Sequence, residues 1–140
     1  MRTVTLHQYR TRLDGYATME AMDTTALFDA RAKVLRDLES RALATPGTVS
    51  ILEEAMSERG WWAEQWPEGL VYVAGLVAQD VQDALFDGAL NGGPQRWPIC
   101  TTCPSDAPLH SLSISPDLGG PDPVWVCEDS GVVVAPLGAL

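Results

Sequence analysis

The sequence predicts an α+β fold, in which an N-terminal bundle of three to four helices is followed by a small β-ribbon module. Two observations lead to this prediction. Apolar residues recur at helical spacing up to about residue 90, between capping residues and Gly or Pro breaks. Beyond residue 97, short β-branched runs alternate with turns rich in Gly and Pro. We therefore expect a helical domain at residues 1–92, a linker at 93–96 and the β module at 97–140.

The first helix is predicted to run from about Met19 or Asp23 to Ala44, with Asp23 as a candidate N-cap. Residues 1–18 fit a strand as well as a short helix. The expected apolar stripe consists of Leu27, Phe28, Val34, Leu35, Leu38 and Ala42. Two acid-before-base pairs with a spacing of four, Asp29–Lys33 and Asp37–Arg41, are expected to face solvent.

Two further helices are predicted before the linker. The second covers about Val49–Arg59, with Ser50 as its candidate cap and Gly60 as its stop. The third begins at Pro67, which suits the first position of a helix, and runs to about Leu90. The tryptophans at positions 61, 62 and 66 would then lie in the connection between these helices.

The β module contains all three cysteines of the chain and one of its two histidines. Cys100 and Cys103 form a Cys-x-x-Cys knuckle, and two thiolates at this spacing can occupy one edge of a tetrahedral metal. His110 and Cys127 follow downstream. The sequence therefore predicts a zinc site made by Cys100, Cys103, His110 and Cys127. Because protein ligands fill all four positions, the predicted role of this Zn²⁺ is structural.

Other interpretations of the same residues stay open. Asp106 or Glu128 is an alternative to His110 as the fourth ligand. One alternative is that the cysteines are free and buried. Another is that Cys100 and Cys103 form a redox pair, although such a pair would lack a βαβ context and would leave Cys127 without a partner. A three-cysteine site with an open position, and Glu128 as its base, would suit a small zinc enzyme. The His-x-Glu signature of zinc deaminases is absent, which weakens that interpretation.

Residues 97–140 resemble a zinc ribbon, which has a Cys-x-x-Cys knuckle, a short hairpin and a late cysteine before a Gly-initiated strand. The resemblance implies a small β fold organised by structural Zn²⁺. It departs from the usual ribbon at the second knuckle, where Cys127 stands alone in Cys-Glu-Asp-Ser-Gly. Residues 1–96 resemble no family in this way.

Charge limits the partners that this chain can bind. The formal net charge is −10, and residues 60–140 hold only Arg96 against ten acidic residues. Proteins bind nucleic acids largely through Lys and Arg, which the β module lacks, so we expect it to make no nucleic-acid contact. The longest apolar run, Leu70 to Ala78, is too short to cross a membrane, and no N-terminal signal is evident. The expected location is the cytoplasm, or a virion if the chain is phage-encoded.

The tryptophan-rich segment is the second feature with functional content. Tryptophan is enriched at the energetic centres of protein interfaces. The sequence therefore predicts a partner-binding surface made by Trp61, Trp62, Trp66 and Tyr72. The alternative is that this segment folds back as a lid on the core.

Little in the sequence favours catalysis. His7 is the only histidine outside the predicted metal site, and nucleophile elbows, phosphate loops and His-Glu-x-x-His motifs are absent. We therefore expect a non-enzyme, namely a protein-interaction or assembly component that binds a protein partner or itself. A subunit of a phage or other macromolecular particle is one form of this. The alternatives are an acidic inhibitor or DNA mimic that binds a basic protein, and the small zinc enzyme.

Overall fold

The computed structural model describes residues 24–90 and 92–140, and it confirms the predicted α+β class. Three α-helices come first: α1 at residues 24–40, α2 at Pro46–Gln65 and α3 at Val73–Phe86. A short 3₁₀ helix, Pro67–Tyr72, joins α2 to α3. The predictions for residues 1–23, including the start of the first helix and the role of His7, lie outside the described residues.

α1 ends at residue 40, so the predicted end at Ala44 is wrong. Ala42 adopts a left-handed conformation with φ of 57°. The amide of Leu43 donates to the carbonyl of Leu38, and that of Ala42 donates to Glu39. This pair of hydrogen bonds is a Schellman motif, which stops a helix by satisfying its last carbonyls.

The bounds of α2 also differ from the prediction. Thr45, and not Ser50, is the N-cap, because its side chain accepts a hydrogen bond from the amide of Thr48. Gly60 lies inside the helix and does not stop it. The helix ends at Gln65 because Trp66 precedes a proline and is extended, with φ of −140° and ψ of 84°.

The region predicted as one third helix is divided into two elements. Pro67 begins the 3₁₀ helix, which is followed by α3, and α3 ends at Phe86 and not at Leu90. As a result, Trp61 and Trp62 belong to α2, and Trp66 is the residue at the junction. Among the described residues, none of the helices is long and apolar enough to cross a membrane.

The sheet contains three short antiparallel strands in the order β1-β2-β3: β1 at Ser113–Ser115, β2 at Val124–Val126 and β3 at Val133–Pro136. Ile114 of β1 faces Trp125 of β2 across the ladder, and both are buried. A separate antiparallel bridge joins Ile99 to Ser111. The strands lie within a residue or two of the β-branched runs in the sequence.

One apolar core runs from the helices into the β module. Trp97 and Trp125 are almost fully buried, with ring centroids 5.3 Å apart in an edge-to-face arrangement. They belong to the same buried cluster as Val34, Leu38, Leu52, Val77, Leu85, Leu112 and Leu137. The predicted division into domains at 1–92 and 97–140 stays a prediction, while the core between them is shared.

Asp37 is fully buried, which corrects the prediction that it pairs with Arg41 on a wet face. Its carboxylate accepts hydrogen bonds from the indole of Trp125 at 2.7 Å and from the amides of Gly138 and Leu140 at 2.6 and 3.0 Å. Arg41 instead donates to the carbonyl of Ile99 at 2.6 Å. The side chains of Asp37 in α1 and of Arg41 just after it therefore both bind the β module. The pair Asp29–Lys33 does form, at 3.0 Å.

Candidate metal centre and tryptophan surface

Short backbone pairings place the four predicted metal ligands. The amide of Cys100 donates to the carbonyl of His110 at 2.9 Å, so the knuckle and the histidine lie on paired segments. Cys127 follows β2 directly. Its amide donates to the carbonyl of Val132, and its carbonyl accepts from the amide of Gly131 at 2.7 Å, which closes a tight turn. Gly131 has a φ of 76°, a conformation that glycine adopts readily.

The structure brings the side chains of Cys100, Cys103, His110 and Cys127 into one group. Their ligand atoms all lie within 4.8 Å of one another. The sulfurs of Cys103 and Cys127 are 3.5 Å apart, and Nε2 of His110 is 3.5 Å from the Cys127 sulfur and 3.7 Å from that of Cys103. Such a group can hold a metal ion.

A second hydrogen bond orients the imidazole of His110. Nδ1 lies 2.8 Å from the carbonyl of Pro108, which can only accept, so Nδ1 carries the proton and Nε2 faces the sulfurs. This is the usual support for a metal-binding histidine. The two alternative ligands, Asp106 and Glu128, do not belong to the group. Glu128 accepts a hydrogen bond from the hydroxyl of Ser113 instead.

Without a metal, the group shares its protons unevenly. Hydrogen bonds from Ser130, together with that from His110, lower the pKa of Cys127 to about 6. The hydrogen bond with Cys127 raises the pKa of Cys103 to about 12. The carbonyl of Pro108 and the Cys127 sulfur raise the pKa of His110 to about 9. At neutral pH, Cys103 and His110 therefore hold protons that a bound metal would displace.

The metal-ligand group is accessible from one side. A cavity of about 300 Å³ is lined by the segment from Cys100 to His110. Cys127 is fully buried, whereas the other three ligands are half-buried. A small chelator can therefore approach the ligands from the side of the knuckle.

Three of the four aromatic residues predicted to bind a partner lie together. The rings of Trp62 and Trp66 meet edge to face at 5.2 Å, and those of Trp66 and Tyr72 stack at 5.8 Å. Trp66 is 43% exposed and Trp61 is 64% exposed. Trp61 lines a different cavity, of about 650 Å³, with Arg59 and Trp62. The lid interpretation is therefore poorly supported for Trp61 and Trp66.

The indole rings of Trp62 and Trp66 pack against the backbone of the 3₁₀ helix at Gly69. A Cβ at this position would lie 2.5 Å from the ring of Trp66 and 2.7 Å from that of Trp62. Only glycine leaves space for both indoles. The 3₁₀ helix and the end of α2 are thus joined by aromatic contacts.

Two residues that were not predicted from the sequence, Leu76 and Leu118, lie against the rings of Trp62, Trp66 and Tyr72. Trp62, Trp66 and Tyr72 line a cavity of about 120 Å³ together with Leu76 and Leu118, and we name it the aromatic cavity. Leu118 comes from the β1–β2 connection, more than thirty residues away from the rings in sequence. The sequence does contain one indication that the β1–β2 connection packs against α3. Gly75 lies inside α3 and Gly119-Gly120 lie in the connection, and glycines at such places often mark a close backbone approach.

A family model described as Domain of unknown function (DUF8819) matches residues 23–137, which is most of the chain. The chain belongs to the DUF8819 family. No curated protein and no solved structure matches it. The resemblance of residues 97–140 to a zinc ribbon therefore stays a prediction.

In this DUF8819 member the metal-ligand group and the aromatic cavity are built differently. The group offers three thiols and an imidazole, which together suit a four-coordinate metal. The walls of the aromatic cavity are almost entirely apolar, so they offer van der Waals contacts and few hydrogen bonds. One place could therefore hold a metal ion, and the other is a cavity lined by apolar side chains.

Proposed function

We propose that the chain is a non-catalytic protein-interaction or assembly component whose β module is held together by a structural Zn²⁺. The observation that carries the proposal is the grouping of four donor atoms within 4.8 Å. Three sulfurs and one imidazole nitrogen complete a tetrahedral set, so no ligand position is left for a substrate or an activated water. This set favours a structural role over that of a zinc enzyme.

The distances in the group suit zinc. With Zn–S near 2.3 Å and Zn–N near 2.0–2.1 Å, a tetrahedral site separates two sulfurs by about 3.8 Å and a sulfur and a nitrogen by about 3.6 Å. The sulfurs of Cys103 and Cys127 are 3.5 Å apart here, and Nε2 of His110 lies 3.7 and 3.5 Å from them, respectively. Thiolate ligands also favour zinc over harder cations such as Mg²⁺ or Ca²⁺. Cys100, Cys103, His110 and Cys127 would hold the ion, whose contribution is to crosslink the module.

The interaction part of the proposal is supported by two exposed tryptophans, Trp61 and Trp66. Trp61 and Trp66 expose large rings, and Leu118, which lines the aromatic cavity with Trp66, is 71% exposed. Exposed aromatic and aliphatic side chains around a cavity are typical of a protein-binding site. The partner is a protein, or a second copy in an assembly such as a phage particle.

The metal part is tested by native mass spectrometry and by cobalt substitution. We expect one Zn²⁺ per chain, with loss of the folded charge states once a strong chelator removes it. The Co²⁺ form should show a tetrahedral, thiolate-rich absorption spectrum that does not change when azide is added. The His110→Gly variant opens a ligand position and is the positive control for azide binding. A metal-free chain that stays folded, or a native site that binds azide, would contradict the proposal.

A further inference from the structure

We propose that the aromatic cavity receives one aliphatic side chain of a partner segment that is rich in Lys and Arg. This inference rests on the proposed interaction function, because it names the partner for the same surface. It combines three observations: the size and apolar walls of the cavity, the charge of the residues beside it, and the origin of one wall in the β module.

The cavity is suited to a single side chain. Its volume is about 120 Å³, well below the roughly 300–1,000 Å³ of pockets that hold drug-sized molecules. Its walls are two indoles, a phenol and two leucines, so it offers dispersion contacts and almost no hydrogen bonds. A side chain such as that of Leu, Ile or Met suits these walls, and a charged or amide group would be left without a partner there.

Acidic residues accompany the lining residues along the chain. Glu68 lies between Trp66 and Tyr72, and Asp117 immediately precedes Leu118; both acids are exposed. In residues 24–90 and 92–140, none of the ion pairs includes either of them. A partner with Lys or Arg beside its aliphatic anchor would gain charge complementarity at these positions.

Arg59 and Arg96 are already engaged by other side chains. Arg59 binds both carboxylate oxygens of Asp80 at 2.7 and 2.9 Å, and its guanidinium lies 5.6 Å from the ring centre of Trp62. Arg96, the single basic residue of residues 60–140, lies over the ring of Phe86 at 5.3 Å. The surface therefore presents negative charge to a partner, and an acidic or nucleic-acid partner would be repelled.

Leu118 connects this site to the β module. Gly119 lies so close to α3 that a Cβ on Gly75 would be 2.5 Å from its Cα. A Cβ on Gly119 would itself lie 2.8 Å from the carbonyl oxygen of Tyr72. These two glycines hold the β1–β2 connection against α3 and thereby bring Leu118 to the rings. Binding of the partner should therefore require a folded β module.

The test is a selection from a library of random peptides against the full zinc-loaded chain. We expect the enriched peptides to carry an aliphatic residue flanked by Lys or Arg. A synthetic peptide of the enriched sequence should shift the indole NMR signals of Trp62 and Trp66. Its affinity should fall by about tenfold or more when the salt concentration is raised from about 0.05 M to about 0.5 M, because screening weakens exposed charge pairs.

Two matched variants distinguish binding in the aromatic cavity from nonspecific binding to exposed apolar side chains. Leu118→Ser removes one wall of the cavity and should weaken the peptide by about tenfold, in keeping with the loss of one buried aliphatic contact. Val133→Thr is the control, because Val133 is another exposed aliphatic residue of the β module, at 60% against 71% for Leu118, and it does not line the aromatic cavity. It should leave the affinity within about twofold, as surface changes away from a site do. The double variant Glu68→Gln with Asp117→Asn should reduce the salt dependence.

The outcomes distinguish this inference from the proposed function. Peptides that bind through Leu118 but lack basic residues would overturn the inference and leave the interaction function standing. Equal effects of Leu118→Ser and Val133→Thr would overturn it as well. A dimer that Trp66→Ser dissociates in sedimentation would make a second copy the occupant, which also overturns the basic partner. A monomer that enriches no peptide would contradict both proposals.

Discussion

The helical region, residues 24–90, and the β module, residues 97–140, are stabilised in different ways. The helices bury apolar side chains along three elements, and fully buried examples are Val34, Leu52 and Val77. The β module has strands of only three, three and four residues. So little regular structure makes few ladder hydrogen bonds, and small units of this kind commonly rely on a metal. The order of the module therefore depends on a few specific ties.

Those ties include several polar side chains of the helical region. Besides Asp37 and Arg41, the amide of Gln82 donates to the carbonyl of Leu112 at 2.6 Å, and that of Gln79 donates to the carbonyl of Asp117. Both amides donate to backbone carbonyls of the module. The helices are thus a template, on which the metal-ligand group and the strands are assembled.

The largest expected effect comes from losing a metal ligand. Structural zinc contributes an apparent binding free energy of about 10–16 kcal/mol to small domains, so Cys127→Ser should unfold the module. We expect amide hydrogen exchange in residues 97–140 to accelerate by about a hundredfold or more, while α2 and α3 change by less than about tenfold. Ser105→Ala, an exposed change in the same segment, is the control. If the helices lose protection together with the module, the two regions do not differ as described.

Replacing Asp37 should affect both regions at once. Asp37→Asn keeps the shape but turns an amide NH₂ towards donors that the carboxylate now accepts from. Unsatisfied buried donors cost about 1–3 kcal/mol each, and we expect a loss of about 2–4 kcal/mol in the free energy of unfolding. Urea unfolding followed by tryptophan fluorescence measures it. Glu39→Gln, on the exposed face of α1, should change stability by less than about 0.5 kcal/mol. A loss of that small size for Asp37→Asn as well would remove its role as an anchor.

The class of fold and the grouping of Cys100, Cys103, His110 and Cys127 were predictable because both depend on local patterns. Apolar periodicity identified three helices, and β-branched runs identified the strands. The Cys-x-x-Cys knuckle, with one histidine and one further cysteine, identified the ligand group, since the module holds no other residues of these types. The spacing of a knuckle is set by one tight turn, so it needs no knowledge of distant contacts.

Asp37 shows why the rest was not predictable. With Arg41 four residues later it has the pattern of a solvent-exposed ion pair. Its actual donor, the indole of Trp125, is 88 residues away in sequence. The prediction that Gly60 stops α2 is wrong for a similar reason. A glycine followed by tryptophans suggests a stop, yet Ala63 is buried and the helix continues through it until Pro67 constrains Trp66.

The smallest expected effects come from two glycines in helices, Gly60 and Gly75. Gly75→Ala puts a Cβ 2.5 Å from the Cα of Gly119, and because that atom is backbone, the whole connection must move. Overpacking costs typically 1–3 kcal/mol and alanine returns up to about 1 kcal/mol of helix propensity, so we expect a net loss of about 1–2 kcal/mol.

Gly60→Ala is the matched opposite case. Its Cβ would meet the nearest atom, on Leu27, at 3.9 Å, an ordinary contact. Alanine should therefore stabilise α2 by about 0.5–1 kcal/mol. Thermal unfolding should show melting temperatures that move in opposite directions for the two variants. Stabilisation by both would mean that the β1–β2 connection does not press on α3. Leu118 would then not be held against the rings, and the β module would no longer supply a wall of the aromatic cavity.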